Sequence, residues 1–193
     1  MQKKRCDWCL GSPQMIKYHD TEWGTPQKGD IKLFEALVLD SFQAGLSWAT
    51  ILNKRKNFKK AFDNYNIQKI AKYNRGEVTR LLLDKGIVRN RLKIQATIEN
   101  AKAAILVKKE LGSFSNYIWY FVGDRVIQNS WKKMGDIPDK TKLSETISKD
   151  MKERGFRFVG PTTIYAFMQG VGMVNDHVVD CFRCQELVDL NKG

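Results

Sequence analysis

The sequence predicts an all-α fold, and three observations carry that prediction. In "NRLKIQATIENAKAAILVKKELG" (90–112), Ile94, Ile98, Ala101 and Ile105 are spaced four, three and four apart, which sets them along one face of a helix. Strand-type alternation is nowhere sustained. "DRVIQNSW" (124–131) is the best strand candidate and reads equally well as a loop. Capping and stop residues also stand where the helical segments begin and end.

The elements follow in order. Asp30 is expected to cap "IKLFEALVLDSF", whose Leu33, Phe34, Leu37 and Val38 share a face. "AGL" at 44–46 breaks that helix, and Ser47 caps "WATILNKRKNFKKAF". Gly76 precedes "EVTRLLLDKG", and Gly86 is expected to stop it. After the long 90–112 segment, "KLSETISKDMKERG" aligns Leu143, Ile147 and Met151. In "RGFRFVGPTTIYAFMQGVG" (154–172) one helix ends near Gly155 and the turn "FRFVG" follows. Pro161 then opens another helix where its missing N–H costs nothing. Gly160 at that helix mouth would let a phosphate approach the free N–H groups, although a plain corner between helices fits the same residues. No repeat or linker interrupts the chain, so one domain over 1–193 is expected.

Composition narrows the partner. Hydrophobic residues make up 42% of the chain, enough for a core, while 33 Lys and Arg against 21 Asp and Glu leave a net charge of +12. That excess suggests a polyanion, most simply nucleic acid. An anionic membrane surface fits poorly, because the basic residues are spread and not gathered in one amphipathic tract. "MQKKRCDWCLGSPQ" lacks the apolar core of a signal peptide, and no apolar run approaches the roughly 20 residues of a membrane span. A cytoplasmic, monomeric protein is expected. Cysteines stay reduced there, so disulfides are not their natural reading.

Every Cys and His lies in the first twenty or last seventeen residues. Two zinc patterns are open. Cys6, Cys9, Cys181 and Cys184 form two Cys-x2-Cys pairs. Alternatively, Cys6 and His19 pair with His177-x3-Cys181. Either set supplies four protein ligands and leaves no position for water, so the metal would be structural and would pin the termini together.

Trp8, Tyr18, Trp23, Asp40, Phe42 and Trp48 make an aromatic and acidic set. Near a carboxylate, aromatic rings can cage an extruded nucleobase, most favourably one with positive charge. Trp23, beside Gly24 and Pro26, reads as packing. Gly45-Leu46 at a helix break could place an apolar wedge in a base stack.

"RCDWC", "YHDTEWG", "LDSFQAGLSW", "LLLDKGIVRNRLKIQATIENAKA", "RGFRFVGPTTIYAFMQ" and "GMVNDHVVDC" occur in this order over nearly the whole chain. Together they resemble the 3-methyladenine DNA glycosylase I family of bacterial base-excision repair. The resemblance implies a helix-hairpin-helix glycosylase acting on double-stranded alkylated DNA. It implies one structural zinc held by Cys6, His19, His177 and Cys181, leaving Cys9 and Cys184 spare. The metal lobe would comprise about 1–25 and 170–193. The base pocket maps to Trp8, Tyr18, Asp40 and Trp48, with Asp40 and Tyr18 the candidates for catalysis. The hairpin maps to Phe158–Thr163, giving Gly160, Thr162 and Thr163 as DNA contacts, and Gly45-Leu46 falls at the lesion gap.

Two positions depart from expectation. The family commonly carries Glu where this chain has Asp40, which withdraws the carboxylate by about 1.5 Å. The essential Asp of many helix-hairpin-helix glycosylases appears here as Asn175, and this family resembles the chain in lacking it. Asp176 is then expected to support His177 or cap a helix. No Lys follows the hairpin, so no Schiff base is expected, and the enzyme should be monofunctional, leaving an abasic site. Lys93, Arg154 and Arg157 are candidate phosphate contacts. The alternative is a DNA-binding module of the same fold without catalysis.

Overall fold

The computed structural model describes residues 3–190 and is mostly helical. Its α-helices are α1 (Pro13–Thr21), α2 (Asp30–Gln43), α3 (Trp48–Ala61), α4 (Ile67–Ile70), α5 (Arg75–Leu83), α6 (Arg91–Leu111), α7 (Phe114–Tyr120), α8 (Lys142–Glu153), α9 (Pro161–Gly170) and α10 (Phe182–Leu190). The strand candidate is realised as a minimal parallel pair, β1 (Ile127–Gln128) with β2 (Val174–Asn175). Among the described residues no helix is long and apolar enough to cross a membrane.

Helix α2 is the centre of the core. Leu33, Phe34, Leu37, Val38 and Phe42 are fully buried, and α3, α6, α7 and α9 all pack against it. Phe42 therefore belongs to the core, edge-on to Phe58 and Phe62, and leaves the aromatic site set. Ser47 caps α3 as expected, accepting from the Thr50 N–H. Asp30 does not cap α2. Gly29 holds that position, and the Asp30 carboxylate accepts instead from the Ser115 N–H and Lys108, tying α2 to α6 and α7. Helix α5 is capped by Asn74 and ends at Leu83, short of Gly86. The Gly86 N–H donates to Asp84 Oδ1, so a side-chain turn, not a glycine stop, ends the segment.

Helices α8 and α9 pack closely through the turn 154–160, and three buried polar side chains hold that turn. Asn100 of α6 accepts from the Arg157 N–H at 2.7 Å and donates to the Arg157 carbonyl at 3.1 Å. Ser41 and Ser148 donate to the Phe158 and Val159 carbonyls. These bonds hold Phe158 at φ +54°, in the left-handed region that favours glycine.

Two of the phosphate candidates are occupied elsewhere. Lys93 is buried, and its ammonium donates to the Phe42 and Ala44 carbonyls at 2.8 and 2.6 Å, closing the C-terminus of α2. Arg154 pairs with Glu110 and Asp150. Arg157 remains exposed, with no ion pair among the described residues.

Asn100→Ala should destabilise the fold by about 2 kcal/mol, since it removes both hydrogen bonds that hold the Arg157 backbone in the α8–α9 turn. Urea denaturation should show a lower midpoint with an unchanged slope.

Candidate active site and metal centre

The chain ends meet behind β1 and β2. The Phe182 N–H donates to the Lys4 carbonyl, and Arg183 reaches Thr25. This closure brings Cys6, His19, His177 and Cys181 together, all buried, with their donor atoms within 4.8 Å of one another. His19 Nε2 and His177 Nδ1 each stand 3.4 Å from Cys181 Sγ, and His177 Nδ1 is 3.6 Å from Cys6 Sγ. A tetrahedral zinc with bonds of about 2.0–2.3 Å needs donor separations of roughly 3.3–3.8 Å. The residues fit.

The second ring nitrogens are also placed. His19 Nδ1 meets Asp20 Oδ1 at 2.8 Å, and His177 Nε2 meets the Trp23 carbonyl at 3.2 Å. Such partners orient ligating imidazoles. Hydrogen bonds from Cys6 and both imidazoles hold the Cys181 thiol down despite its burial. The bond to Cys181 pushes Cys6 up. The thiolate form that a metal requires is thus already favoured at one sulfur.

Cys9 and Cys184 lie outside this group, so the four-thiolate pattern is not the one assembled. Asp176 does not touch His177 either. Its buried carboxylate accepts from Asn129, Trp131, Tyr165 and Gln169, all at 2.6–2.8 Å. It anchors the wall of the neighbouring cavity, and a carboxylate with four donors has no capacity left for the imidazole.

That cavity has a volume of about 420 Å³ and is walled by Trp8, Tyr18, Asp40, Trp48, Tyr165 and Gln169. Its size is in the range of small-ligand sites. The rings of Tyr18 and Trp48 lie 5.2 Å apart, and those of Trp8 and Tyr18 lie 6.3 Å apart. Trp23 packs edge-on to Trp8 and His177, as its glycine and proline neighbours suggested, and it also lines the cavity.

Four polar groups here lack partners. Trp8 Nε1 and Trp48 Nε1 are buried without acceptors. Among the described residues, the Tyr18 hydroxyl and the Asp40 carboxylate make no hydrogen bond. Burial alone pushes the Asp40 carboxyl up to about 8, and burial is also the main cause raising Tyr18. Unsatisfied groups are costly inside a protein. Two of these groups, the Tyr18 hydroxyl and the Asp40 carboxyl, belong to residues that line the cavity and have no protein partner to compete with a ligand.

The mouth lies at the ends of three helices. Thr162, in the first turn of α9, and Gln43, at the end of α2, line the cavity. Gly160 caps α9, and Thr163 is half-buried one residue further along the helix from Thr162. Gly45 is exposed at φ +80° with open space around it, and Leu46 is 41% exposed.

Sequence reasoning missed Gln43, Tyr165 and Gln169. The i, i+4 spacing of Tyr165 and Gln169 was a usable signal. It also missed Asp20, although that residue adjoins a candidate ligand. Arg55 was missed too. It donates to Glu35 at 2.8 Å and Glu22 at 2.7 Å, fastening α2 and the end of α1 to α3.

The fold and site define a helical protein with an aromatic, carboxylate-bearing cavity at its helix ends and a buried Cys/His cluster. The methyladenine glycosylase family model matches residues 8–184. The DNA-3-methyladenine glycosylase of Haemophilus influenzae is 42% identical over 92% of this chain and 96% of its own. DNA-3-methyladenine glycosylase 1 of Escherichia coli K12 is 43% identical over 92% of this chain and 95% of its own. A crystal structure of 3-methyladenine DNA glycosylase I superposes with a TM-score of 0.90 at 43% identity, covering 93% of this chain and 98% of that one. A variant of 3-methyladenine DNA glycosylase I solved with 3-methyladenine bound superposes at 0.89 with 31% identity, covering 92% and 96%. The chain belongs to the methyladenine glycosylase family.

An unfolded Asp titrates near 3.9. Between about 4 and about 8 the folded chain therefore keeps a proton on Asp40 that the unfolded chain has lost. Stability falls as pH rises through that window and levels off above it. Asp40→Asn should accordingly match the wild type near pH 4 and exceed its Tm by several degrees near pH 9. Thermal melts across pH would test this, and a constant difference between the two proteins would refute it.

Proposed function

We infer that the protein is a monofunctional DNA glycosylase that hydrolyses the N-glycosidic bond of 3-methyladenine in alkylated duplex DNA and leaves an abasic site. The observation that carries this reading is the cavity. It offers tilted aromatic rings, a free hydroxyl and an uncompensated carboxylate.

An N3-methylated adenine on its sugar is cationic. In the empty cavity Asp40 is held largely neutral near pH 7. A cationic base beside it favours the charged form and lowers its pKa again. Neutral adenine gives no such return, and extruding it from a sound stack costs more. Charge coupling at Asp40 thus supports selection of the lesion. Tyr18 and Trp48 hold the ring, and the Tyr18 hydroxyl is free to bond to it.

In the reaction the bond from the base nitrogen to C1′ breaks, and its electron pair neutralises the base. A water oxygen bonds to C1′ and releases a proton. Asp40 and the DNA phosphates stabilise the positive sugar that develops between these events. No lysine lines the cavity, which supports hydrolysis without a Schiff base.

The α8–turn–α9 unit serves as the helix-hairpin-helix element. Gly160, Thr162 and Thr163 face a phosphate, the exposed Arg157 lies beside them, and Leu46 enters the gap left by the extruded base. One zinc on Cys6, His19, His177 and Cys181 would be structural, stiffening the joined ends of a single domain that acts as a monomer.

Single-turnover release of 3-methyladenine from methylated duplex DNA tests the reading. Loss of stacking in Trp48→Ala should cost about 10- to 100-fold. Asp40→Asn should also fall by tenfold or more, and Tyr18→Phe by less. Lesion-dependent DNA binding without release by the folded, metal-loaded wild type would favour the non-catalytic module.

Metal analysis should find one zinc per chain. Cys181→Ser should lose it and melt at a lower temperature, because the metal joins both chain ends. Wild-type melting unaffected by a strong chelator that removes the metal would refute the structural role.

A further inference from the structure

A second cavity, of about 440 Å³, lies behind the first. The two share Tyr18, Asp40 and Trp48, so the partition between them is one side chain thick. Their outer walls diverge along α2, where Gln43 lines the front cavity and Lys32 the rear one, about 16 Å apart along the helix axis at 1.5 Å per residue. On α9 the front cavity runs from Thr162 to Gln169, and the rear one begins at Gly170. The rear rim carries the exposed Lys32, Lys56 and Lys59, so the rear cavity opens to solvent on the face away from the hairpin.

We propose that the rear cavity is an exit for the excised purine base, which passes between Tyr18 and Trp48 while the abasic DNA still covers the front mouth. This rests on the glycosylase reading above.

The partition suits such a passage. Neither the Tyr18 hydroxyl nor the Trp48 indole N–H is fixed by a hydrogen bond. Gly170 lets the Tyr18 hydroxyl come close to α9, since a Cβ there would stand 3.3 Å from it. The frame around the partition is rigid by contrast, with Arg55 bonded to Glu22 and Glu35 on the rear wall. Cleavage also changes the charge of the base. Cationic on its sugar, it becomes neutral on leaving, and its electrostatic attraction to Asp40 ends. Ahead of it the rear rim offers Gln27, Lys56 and Lys59, polar groups at which the base can regain water. Behind it lie the abasic sugar and a duplex held by a strongly basic protein.

Stopped-flow tryptophan fluorescence can follow dissociation of prebound 3-methyladenine, with and without a saturating duplex that carries a tetrahydrofuran abasic analogue. In the wild type the duplex should change the off-rate by less than about threefold. Ala36→Phe, on the rear wall, should slow dissociation tenfold or more only when DNA is bound. Lys56→Phe, at an exposed helix position that tolerates substitution, should act in the same direction. Single-turnover bond cleavage should be unchanged in both. A tenfold slowing of the wild type by the duplex would overturn the exit and leave the base pocket standing, as would rear variants that behave like wild type on DNA. No binding of 3-methyladenine to the DNA-free protein would overturn the pocket itself, and the exit with it.

Discussion

The structure depends on burying helix α2 from Leu33 to Phe42. Its apolar residues there leave little surface for water, so α3, α6, α7 and α9 pack around it. That enclosure brings α9 and α3, far apart in sequence, against the same helix. It also carries Asp40 out of bulk solvent to the wall of the two cavities. Where α2 ends, its carbonyls cannot all reach water, and the Lys93 ammonium takes up two of them. The exposed Gly45-Leu46 turn starts from that fixed point.

Two acidic residues on α2 show how environment separates structure from chemistry. Glu35 and Asp40 are both buried. Glu35 meets Arg55 and Lys32, and its charge is matched. Asp40 has no such partner and stands with its carboxyl pushed up. A matched buried pair positions helices; an unmatched carboxylate beside a cavity is energy held ready for a ligand of opposite charge. The same contrast separates Asp176 from Asp40. With four donors Asp176 is saturated and stiffens Tyr165 and Gln169, so it serves the cavity without facing a substrate.

The closure of the chain ends is coupled to the same cavity. Trp8 lies two residues beyond Cys6, Tyr18 precedes His19, and Asp176 precedes His177. Each donor of the Cys/His cluster except Cys181 therefore has a wall-forming or wall-supporting residue near it in the chain. Ordering the cluster orders half of the aromatic wall. This is a physical reason for a Cys/His cluster to stand beside the cavity and not at a remote surface.

By itself the sequence determined the helical class, the limits of α3 and α6 and the start of α9, the clustering of Cys and His at the two ends, and Trp8, Tyr18 and Trp48 of the aromatic wall. Periodicity, capping chemistry and residue type act over a few positions, so they can be read along the chain. Choosing between two sets of metal ligands was not local: it needed the three-dimensional meeting of residues more than 150 positions apart, which excludes Cys9 and Cys184. Tertiary packing likewise turned Lys93 and Arg154 inward, drew Asp30 away from its cap and sent Phe42 to the core. A cation takes whichever acceptor folding brings near, and an aromatic ring takes whichever face is driest. Neither is written in the residue's neighbours. The cavities arise in the same way, as the space that helices α1, α2, α3 and α9 leave unfilled once the core is packed.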